Sequence, residues 1–276
     1  MIGAKVEPLV IAWVHPGEVN GRFMDSVLGL FYADRERAHK HGTTAITGTV
    51  WVESGPRIAH SRNLLVRRFL SNAAWAGTEW LLMLDADMTF SDTLLDNLFD
   101  GVRDDKGNLQ RLIVGGLCFG GGHNSIVPTM YQIVDPKENG GSPVRVITEW
   151  DDGDVVPVDA TGAACLLVHR SVYEHFATTY GEPVPFFAES VYGGVEFGED
   201  WTFCMRAMQQ KIPIVVNTAA KLGHMKLIQM DENSWRGGSN LTKIEGYSAG
   251  KKLATVTPIT TPNRKARRND ARKVKV

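Results

Sequence analysis

Cysteine is scarce in this sequence. The chain has 276 residues and three cysteines, Cys118, Cys165 and Cys204, which are widely spaced and form no CxxC motif. An odd number of isolated cysteines argues against a disulfide framework and against a zinc ribbon. A reducing, cytoplasmic location is therefore the expected one.

Long apolar runs are also missing. No window of the sequence approaches the ~18 uninterrupted apolar residues that a membrane span needs. The first apolar run follows Glu7 and Pro8 and lacks a small-residue cleavage pattern, so it predicts a first strand rather than a signal peptide. The sequence therefore predicts no transmembrane segment.

The net charge is close to zero, but the charged residues are unevenly distributed along the chain. The chain carries −1 overall, yet residues 263–276 hold seven Lys or Arg against one Asp, leaving 23 basic and 30 acidic residues elsewhere. Length favours one main domain, over 1–225. A polar lid or loop follows at 226–262, and then a basic tail at 263–276 that is expected to be disordered or to contact a polyanion such as DNA, or a protein.

Apolar runs and helical patterns alternate along most of the chain. Strands are predicted at 9–14, 45–52, 80–84, 111–119 and 212–218, with helices between the first four of them at 23–38, 57–77 and 91–102. This alternation predicts an α/β layered, mostly parallel sheet of Rossmann type. Residues 128–158 predict a small antiparallel hairpin extension, and 120–123 predict a glycine loop.

Two aspartates stand at the end of the most apolar run. In "EWLLMLDADMTFSD", Asp85 and Asp87 directly follow the third predicted strand. Ligands of such sheets collect at the carboxyl ends of the strands. Mg²⁺ and Mn²⁺ bind one or two carboxylates together with substrate phosphates, so the pair predicts a metal and diphosphate site.

Other candidate residues follow in a set order. Arg57 and Arg62 flank a helix start, where guanidinium groups could hold phosphate oxygens. Glu199 and Asp200 open a helix, and His224 follows a strand. Each has a structural alternative: a surface ion pair for the arginines, helix capping for the acids, and a packed imidazole for the histidine.

The motifs "SRNLL", "WLLMLDADM", "DATGAACLLVHR", "GEDWTFCMRA" and "GH" resemble the GT-A glycosyltransferases that use nucleotide sugars. They are most similar to the family 2 group and, at "SRNLL", to Anp1-type mannosyltransferases. The resemblance covers roughly residues 8–225. It implies that 1–225 is a catalytic domain with a nucleotide-binding half 1–90 and an acceptor half 91–225. The second strand ends in "WVESGP" where family 2 members usually carry an acidic turn, so the resemblance leaves the choice between UDP and GDP open, with UDP favoured.

The resemblance implies a role for each matching residue. Asp85, Asp87 and His224 would bind Mn²⁺ or Mg²⁺, with Asp85 also touching the nucleotide. Asp200 would be the general base of an inverting transfer, with Glu199 as the alternative, although the Anp1 likeness implies retention. The remaining predicted donor contacts are Pro16, Glu53, Arg57, Arg62 and Trp201. Small transferases that resemble this chain and lack membrane helices occur among the virus-encoded enzymes that modify DNA bases or virion proteins.

Three alternatives stay open. "LLMLDADMTF" also fits a haloacid dehalogenase-type phosphatase, with Asp85 as nucleophile, Asp87 as acid and Thr89 as a phosphate contact. A nucleotidyltransferase could share the architecture, with "HPGEVNGRF" as its loop. A non-catalytic protein could bind carbohydrate or nucleic acid through the basic tail.

Overall fold

The computed structural model describes residues 6–104, 106–122, 125–192 and 195–226, with two short strand segments at 228–229 and 242–243. The chain divides into two compact units, Met1–Lys226 and Leu227–Val276. The predicted lid and basic tail lie outside the described residues, apart from Lys226 and the two short segments. The division of 1–225 into nucleotide and acceptor halves stays a prediction.

The first unit begins with alternating strands and helices and continues with a run of short strands before its last two α-helices. The first half contains β1 (Leu9–His15), α1 (Gly21–His41), β2 (Ile46–Glu53), α2 (Ile58–Ser71), β3 (Trp80–Asp85), β4 (Met88–Phe90), α3 (Leu94–Val102) and β5 (Ile113–Leu117). The second half contains β6 (Phe119–Gly122), β7 (Ser125–Pro128), β8 (Met130–Ile133), β9 (Val144–Val146), β10 (Val155–Val158), β11 (Ala160–Thr161), β12 (Cys165–His169), α4 (Arg170–Tyr180), β13 (Ser190–Tyr192), β14 (Val195–Phe197), α5 (Glu199–Gln209) and β15 (Ile214–His224).

The central sheet has the strand order β10-β15-β5-β12-β3-β1-β2, and β4 is attached to β15. β1 pairs in parallel with β2 and β3, and β5 pairs in parallel with β15. β12 runs antiparallel between β3 and β5, and β10 is antiparallel at the edge. Five of these seven strands thus point the same way, which confirms the predicted α/β, mostly parallel sheet.

Small antiparallel sheets extend this architecture. β8 pairs with β9 and β11, while β6 with β7 and β13 with β14 form hairpins. The predicted antiparallel extension is therefore confirmed. Among the described residues, no helix is both long enough and apolar enough to cross a membrane.

Alternation along β3 decides which side chains meet which helix layer. Leu81 and Met83 belong to the core cluster that includes α2, whereas Leu82 and Leu84 belong to the cluster that includes α1 and α3. Successive strand residues point to opposite faces, so the next residue on the α2 face is Asp85. The alternation along β3 therefore places the carboxylate of Asp85 next to α2 at the end of the strand.

Several predicted boundaries were wrong. Residues 120–122 of the predicted glycine loop form a strand, because the backbone of 119–122 pairs with 125–128 without needing side chains, and residue 123 lies outside the described residues. The helix predicted to reach Gly77 ends at Ser71, since Asn72 is extended and its side chain caps a following 3-10 turn. The strand predicted at 212–218 continues to His224, because a register shift between Asn217 and Lys221 lets it run on.

Candidate active site

The turn after β3 places the two aspartates in different surroundings. Asp85 ends β3, and its backbone N–H donates to the carbonyl of Ala164 at 3.0 Å. The chain then turns and returns as β4, which pairs with the end of β15 so that His224 lies opposite Met88. Asp85 therefore faces α2, whereas Asp87 meets the last residues of β15.

Arg62 of α2 joins two carboxylates inside the protein. Its side chain is 6% exposed, and Nη2 donates to both oxygens of Asp85 at 2.8 and 3.0 Å. Its Nη1 donates to Glu199 at the start of α5. Burial alone would lower the pKa of Arg62, but Asp85, Glu199 and Asp200 outweigh burial and raise it. Arg62 is thus a fixed cation that holds the end of β3 against the start of α5.

Glu199 and Asp200 occupy the first turn of α5, where the helix dipole favours negative charge. Glu199 is 13% exposed and is bound to Arg62. Asp200 Oδ1 accepts from the backbone N–H of Trp201 at 2.8 Å. Burial raises the pKa of both carboxyls although Arg62 opposes it. Within the described part of the chain, Asp200 forms no direct ion pair, so its carboxylate is the freer of the two.

Asp87 is held by two cationic partners. Its Oδ2 lies 2.9 Å from His224 Nε2 and 3.1 Å from Lys226 Nζ. Burial alone would raise the pKa of Asp87, but His224 and Lys226 outweigh burial and lower it. The hydrogen bond to Asp87 raises the pKa of His224. This edge of the sheet therefore combines an ionised carboxylate with two groups that can carry positive charge.

The orientation of His224 fits a bound cation. Its Nδ1 lies 2.8 Å from the carbonyl oxygen of Phe119, which can only accept, so Nδ1 carries a hydrogen. Nε2 lies 2.9 Å from Asp87 Oδ2, so it donates a second proton to Asp87 when the ring is charged. When the ring is neutral, Nε2 and Oδ2 both offer lone pairs and could bind one cation side by side. A backbone carbonyl that fixes one ring nitrogen is common for metal-binding histidines. Asp87 and His224 thus fit Mn²⁺ or Mg²⁺.

Asp85 is less available as the third predicted ligand, because both of its oxygens accept from Arg62. Across the described ranges, no group of three or more His, Cys, Asp or Glu side chains forms a metal centre. Mg²⁺ commonly takes one or two protein ligands and completes its shell with water and phosphate oxygens. A cation here would need diphosphate oxygens in the same way.

The other predicted donor contacts lie at the ends of β1 and β2. Glu53 is the register partner of His15, and Pro16, Glu53 and Arg57 are all exposed. Gly17 has φ of +102°, and a Cβ built on it would lie 3.6 Å from Glu53 Oε1. Pro16, Glu53 and Arg57 therefore line an open edge of the sheet, and their contact with a nucleotide stays a prediction.

Two predicted donor contacts lie elsewhere. Arg62 is buried on two carboxylates rather than open to phosphate, as described above. Trp201 follows Asp200 on α5, and its ring contacts Tyr131 at 5.0 Å and Phe197 at 5.4 Å between centroids. The structure thus groups Trp201 with the antiparallel extension, and its predicted donor contact stays untested.

Sequence reasoning missed Lys226, Tyr131 and His15. Lys226 had a usable signal, because it follows His224 by two residues in "LGHMK". Tyr131 had none, because β8 lies far in sequence from α5. His15 is 9% exposed and lies 5.3 Å from the Trp51 ring, so an aromatic pair borders the β1 and β2 ends.

Comparison with known proteins gives structural likenesses only. The sequence matches no protein-family model and no curated protein. It is similar to the crystal structure of A197 from STIV, at a TM-score of 0.47 and 14% identity, over 90% of this chain and 100% of that chain. It is also similar to a glycosyltransferase involved in glycosylation of the major capsid of PBCV-1, at a TM-score of 0.36 and 12% identity, over 76% of this chain and 82% of that chain. At these values neither likeness decides the function, which has to be inferred from the site.

Proposed function

We propose that the chain is a metal-dependent glycosyltransferase that moves a sugar from a nucleoside diphosphate sugar, UDP in preference to GDP, to an acceptor hydroxyl with inversion. One observation carries this proposal. At a single end of β3, Asp87 with His224 offers a cation site, and the buried Arg62 links that strand end to Glu199, the neighbour of Asp200. The groups that could neutralise a leaving diphosphate and the candidate base are therefore held at the same end of β3.

The chain's own groups suit a single displacement. Asp200 would accept the proton of the acceptor hydroxyl while the acceptor oxygen bonds to the anomeric carbon. The bond from that carbon to the diphosphate oxygen breaks, and the diphosphate leaves with the electron pair. Lys226 can place positive charge beside the departing group, because its ammonium already lies 3.1 Å from Asp87. A divalent ion held by Asp87 and His224 would neutralise further charge on the diphosphate.

Arg62 supports the choice of Asp200 over Glu199 as base. A carboxylate that is held by a charge-assisted bond from a buried guanidinium is less free to meet an acceptor hydroxyl. Glu199 is in this position, whereas Asp200 accepts only from a backbone N–H among the described residues. Glu199 is therefore assigned to holding Arg62.

The same contacts disfavour the phosphatase alternative. A nucleophilic carboxylate needs an oxygen directed at the substrate phosphorus. Both oxygens of Asp85 accept from Arg62 instead. Thr89 is directed towards β15, where its Oγ1 lies 3.4 Å from the carbonyl of Gly223. These positions support transfer from a nucleotide sugar over phosphate hydrolysis at Asp85.

Nucleotide binding should require a cation and Asp87. Isothermal titration of UDP and GDP is expected to give measurable affinity with Mn²⁺ or Mg²⁺ and little without it, since the diphosphate completes the shell of the ion. Asp87→Asn should weaken the Mn²⁺-dependent affinity by at least roughly tenfold, the lower end of the loss seen when groups around a metal are changed.

Asp92→Asn is the matched control, because Asp92 is an exposed acid five residues away. It should leave nucleotide affinity unchanged. Equal affinity with and without metal would remove Asp87 and His224 from the proposed role. Absence of any nucleotide binding would reject the proposed function as a whole.

Activity should fall on the acid side at a pH above the ordinary Asp pKa of about 3.9. Burial raises the pKa of Asp200, and a base must be ionised to accept a proton. The measurement is kcat against pH at saturating donor and Mn²⁺, so that protonation of His224 does not limit metal binding. An acid limb at or below the ordinary Asp value would contradict Asp200 as the base.

A further inference from the structure

The surface beside Asp200 contains an aromatic pair that the proposed reaction has not used. Tyr131 on β8 and Trp201 on α5 are both half-buried, and their rings are 5.0 Å apart at an angle of 42°. Phe197 supports the other side of Trp201 at 5.4 Å. Burial raises the pKa of the Tyr131 phenol, and the negative charge of Asp200 raises it further. The phenol and this carboxylate are therefore close enough to interact electrostatically.

A glycine, which has no side chain, lies next to the carboxylate of Asp200. Gly162 follows β11, and a Cβ built on it would lie 3.7 Å from Asp200 Oδ2 and 3.6 Å from Thr129 Cβ. These are ordinary contact distances, so a methyl group would fit without displacing its neighbours. The space that the methyl group would fill is therefore space that an acceptor group can use to approach Asp200.

We infer that Tyr131, Trp201, Gly162 and Asp200 form an acceptor face that takes a neutral sugar ring and presents one of its hydroxyls to Asp200. This inference rests on the proposed glycosyl transfer and names its acceptor class. The apolar C–H side of a sugar can pack on one aromatic ring, while its hydroxyls bond to the phenol and the carboxylate. Holding a flat nucleobase between these two rings would need them parallel, whereas they are tilted by 42°.

The charge around the acceptor face also favours a neutral ligand. Asp200 is itself an acid of this face, and the adjacent Glu199 is bound to Arg62. Asp159 donates its backbone N–H to the carbonyl of Tyr131 at 2.9 Å, and its carboxylate accepts from the backbone N–H of Ile133 at 2.8 Å, so a second acid lies beside the strand of Tyr131. Arg145 on β9 is bonded to Gln132, whose side chain alternates to the opposite face from Tyr131. A polyanion such as a nucleic acid would meet repulsion at this surface.

Saturation-transfer NMR tests the acceptor face with the full chain plus UDP and Mn²⁺. The probes are the methyl glycopyranosides of glucose, galactose and mannose, a Ser/Thr peptide and a single-stranded oligonucleotide. At least one glycoside should bind through its C–H protons. Tyr131→Ala should weaken that binding by roughly tenfold, about the worth of one aromatic contact, and Tyr131→Phe should weaken it less. Gly162→Ala should also weaken it.

Tyr32→Ala is the matched control, because Tyr32 is 69% exposed on α1. Circular dichroism of each variant separates lost binding from lost folding. Unchanged glycoside binding in both Tyr131→Ala and Gly162→Ala would overturn the inference. The inference would also be overturned if the peptide or the oligonucleotide bound at these residues and no glycoside did. Failure of UDP and GDP to bind would reject glycosyl transfer itself, whereas nucleotide binding without glycoside binding would reject only the acceptor face.

Discussion

Replacing Asp200 with asparagine is expected to lower kcat by roughly 10²–10⁴-fold, the usual contribution of a positioned general base. Asparagine has nearly the same shape, and its side-chain oxygen can still accept from the backbone N–H of Trp201, as Asp200 Oδ1 does at 2.8 Å. The helix start should therefore remain intact. Only the ability to take a proton is removed, so UDP affinity in the presence of Mn²⁺ should not change.

The measurement pairs steady-state turnover with isothermal titration. Glu196→Gln is the control, because Glu196 is an exposed acid on β14 close in sequence to Asp200. That variant should keep both kcat and nucleotide affinity. Full turnover by Asp200→Asn would disprove the base assignment, and retention of the donor's anomeric configuration in the product, read by NMR, would disprove the single displacement.

The position of the aspartate pair could be predicted because it depends on local pattern. A buried run followed by "DAD" indicates a strand end, and strand ends in α/β sheets gather ligands. The different surroundings of the pair could not be predicted in the same way. Asp85 meets α2 because of side-chain alternation along β3, while Asp87 meets His224 only because β4 pairs with β15 across more than a hundred residues.

Arg62 shows where residue type alone leaves two roles open. An arginine near a helix start predicts phosphate binding as readily as an ion pair, since both ligands suit a guanidinium. The choice is made by burial, because Arg62 is 6% exposed with Asp85 on one side and Glu199 on the other. Glu199 is 137 positions away in sequence. No short-range pattern reports a contact over that distance.

The boundaries that were wrong share a physical cause. Strand formation in 119–122 depends on backbone pairing with 125–128, which glycines permit but do not signal. The extension of β15 to His224 depends on a bulge that restores pairing after Asn217. In each case tertiary contacts determine the element, so local preference is a poor guide.

Replacing Arg62 with methionine should lower the free energy of unfolding by about 3–5 kcal/mol at neutral pH, the usual loss when one partner of a buried ion pair is removed. Methionine fills much of the same volume, so the loss arises mainly from charge. Asp85 and Glu199 would remain close together, 28% and 13% exposed, with no cation between them. Urea unfolding monitored by circular dichroism gives the change in free energy.

The loss of unfolding free energy in Arg62→Met should depend on whether the neighbouring carboxylates are ionised. Burial already raises the pKa of Glu199, and removing Arg62 removes the charge that opposes this shift. The destabilisation should therefore be full at neutral pH, should shrink as pH falls through the raised folded-state pKa of Glu199, and should be gone below its unfolded pKa. The triple change Arg62→Met, Asp85→Asn, Glu199→Gln should regain most of the lost stability, because it leaves no uncompensated charge.

Arg35→Met is the control, since Arg35 is an exposed arginine on α1, and its effect should stay within about 0.5 kcal/mol. If Arg62→Met were equally mild, the link between β3 and α5 would contribute little to stability. If the triple variant folded well yet bound UDP and Mn²⁺ normally without turnover, the charges would be needed for catalysis rather than for folding. That result would assign Arg62 to holding the start of α5, and with it Asp200, in its position for proton transfer.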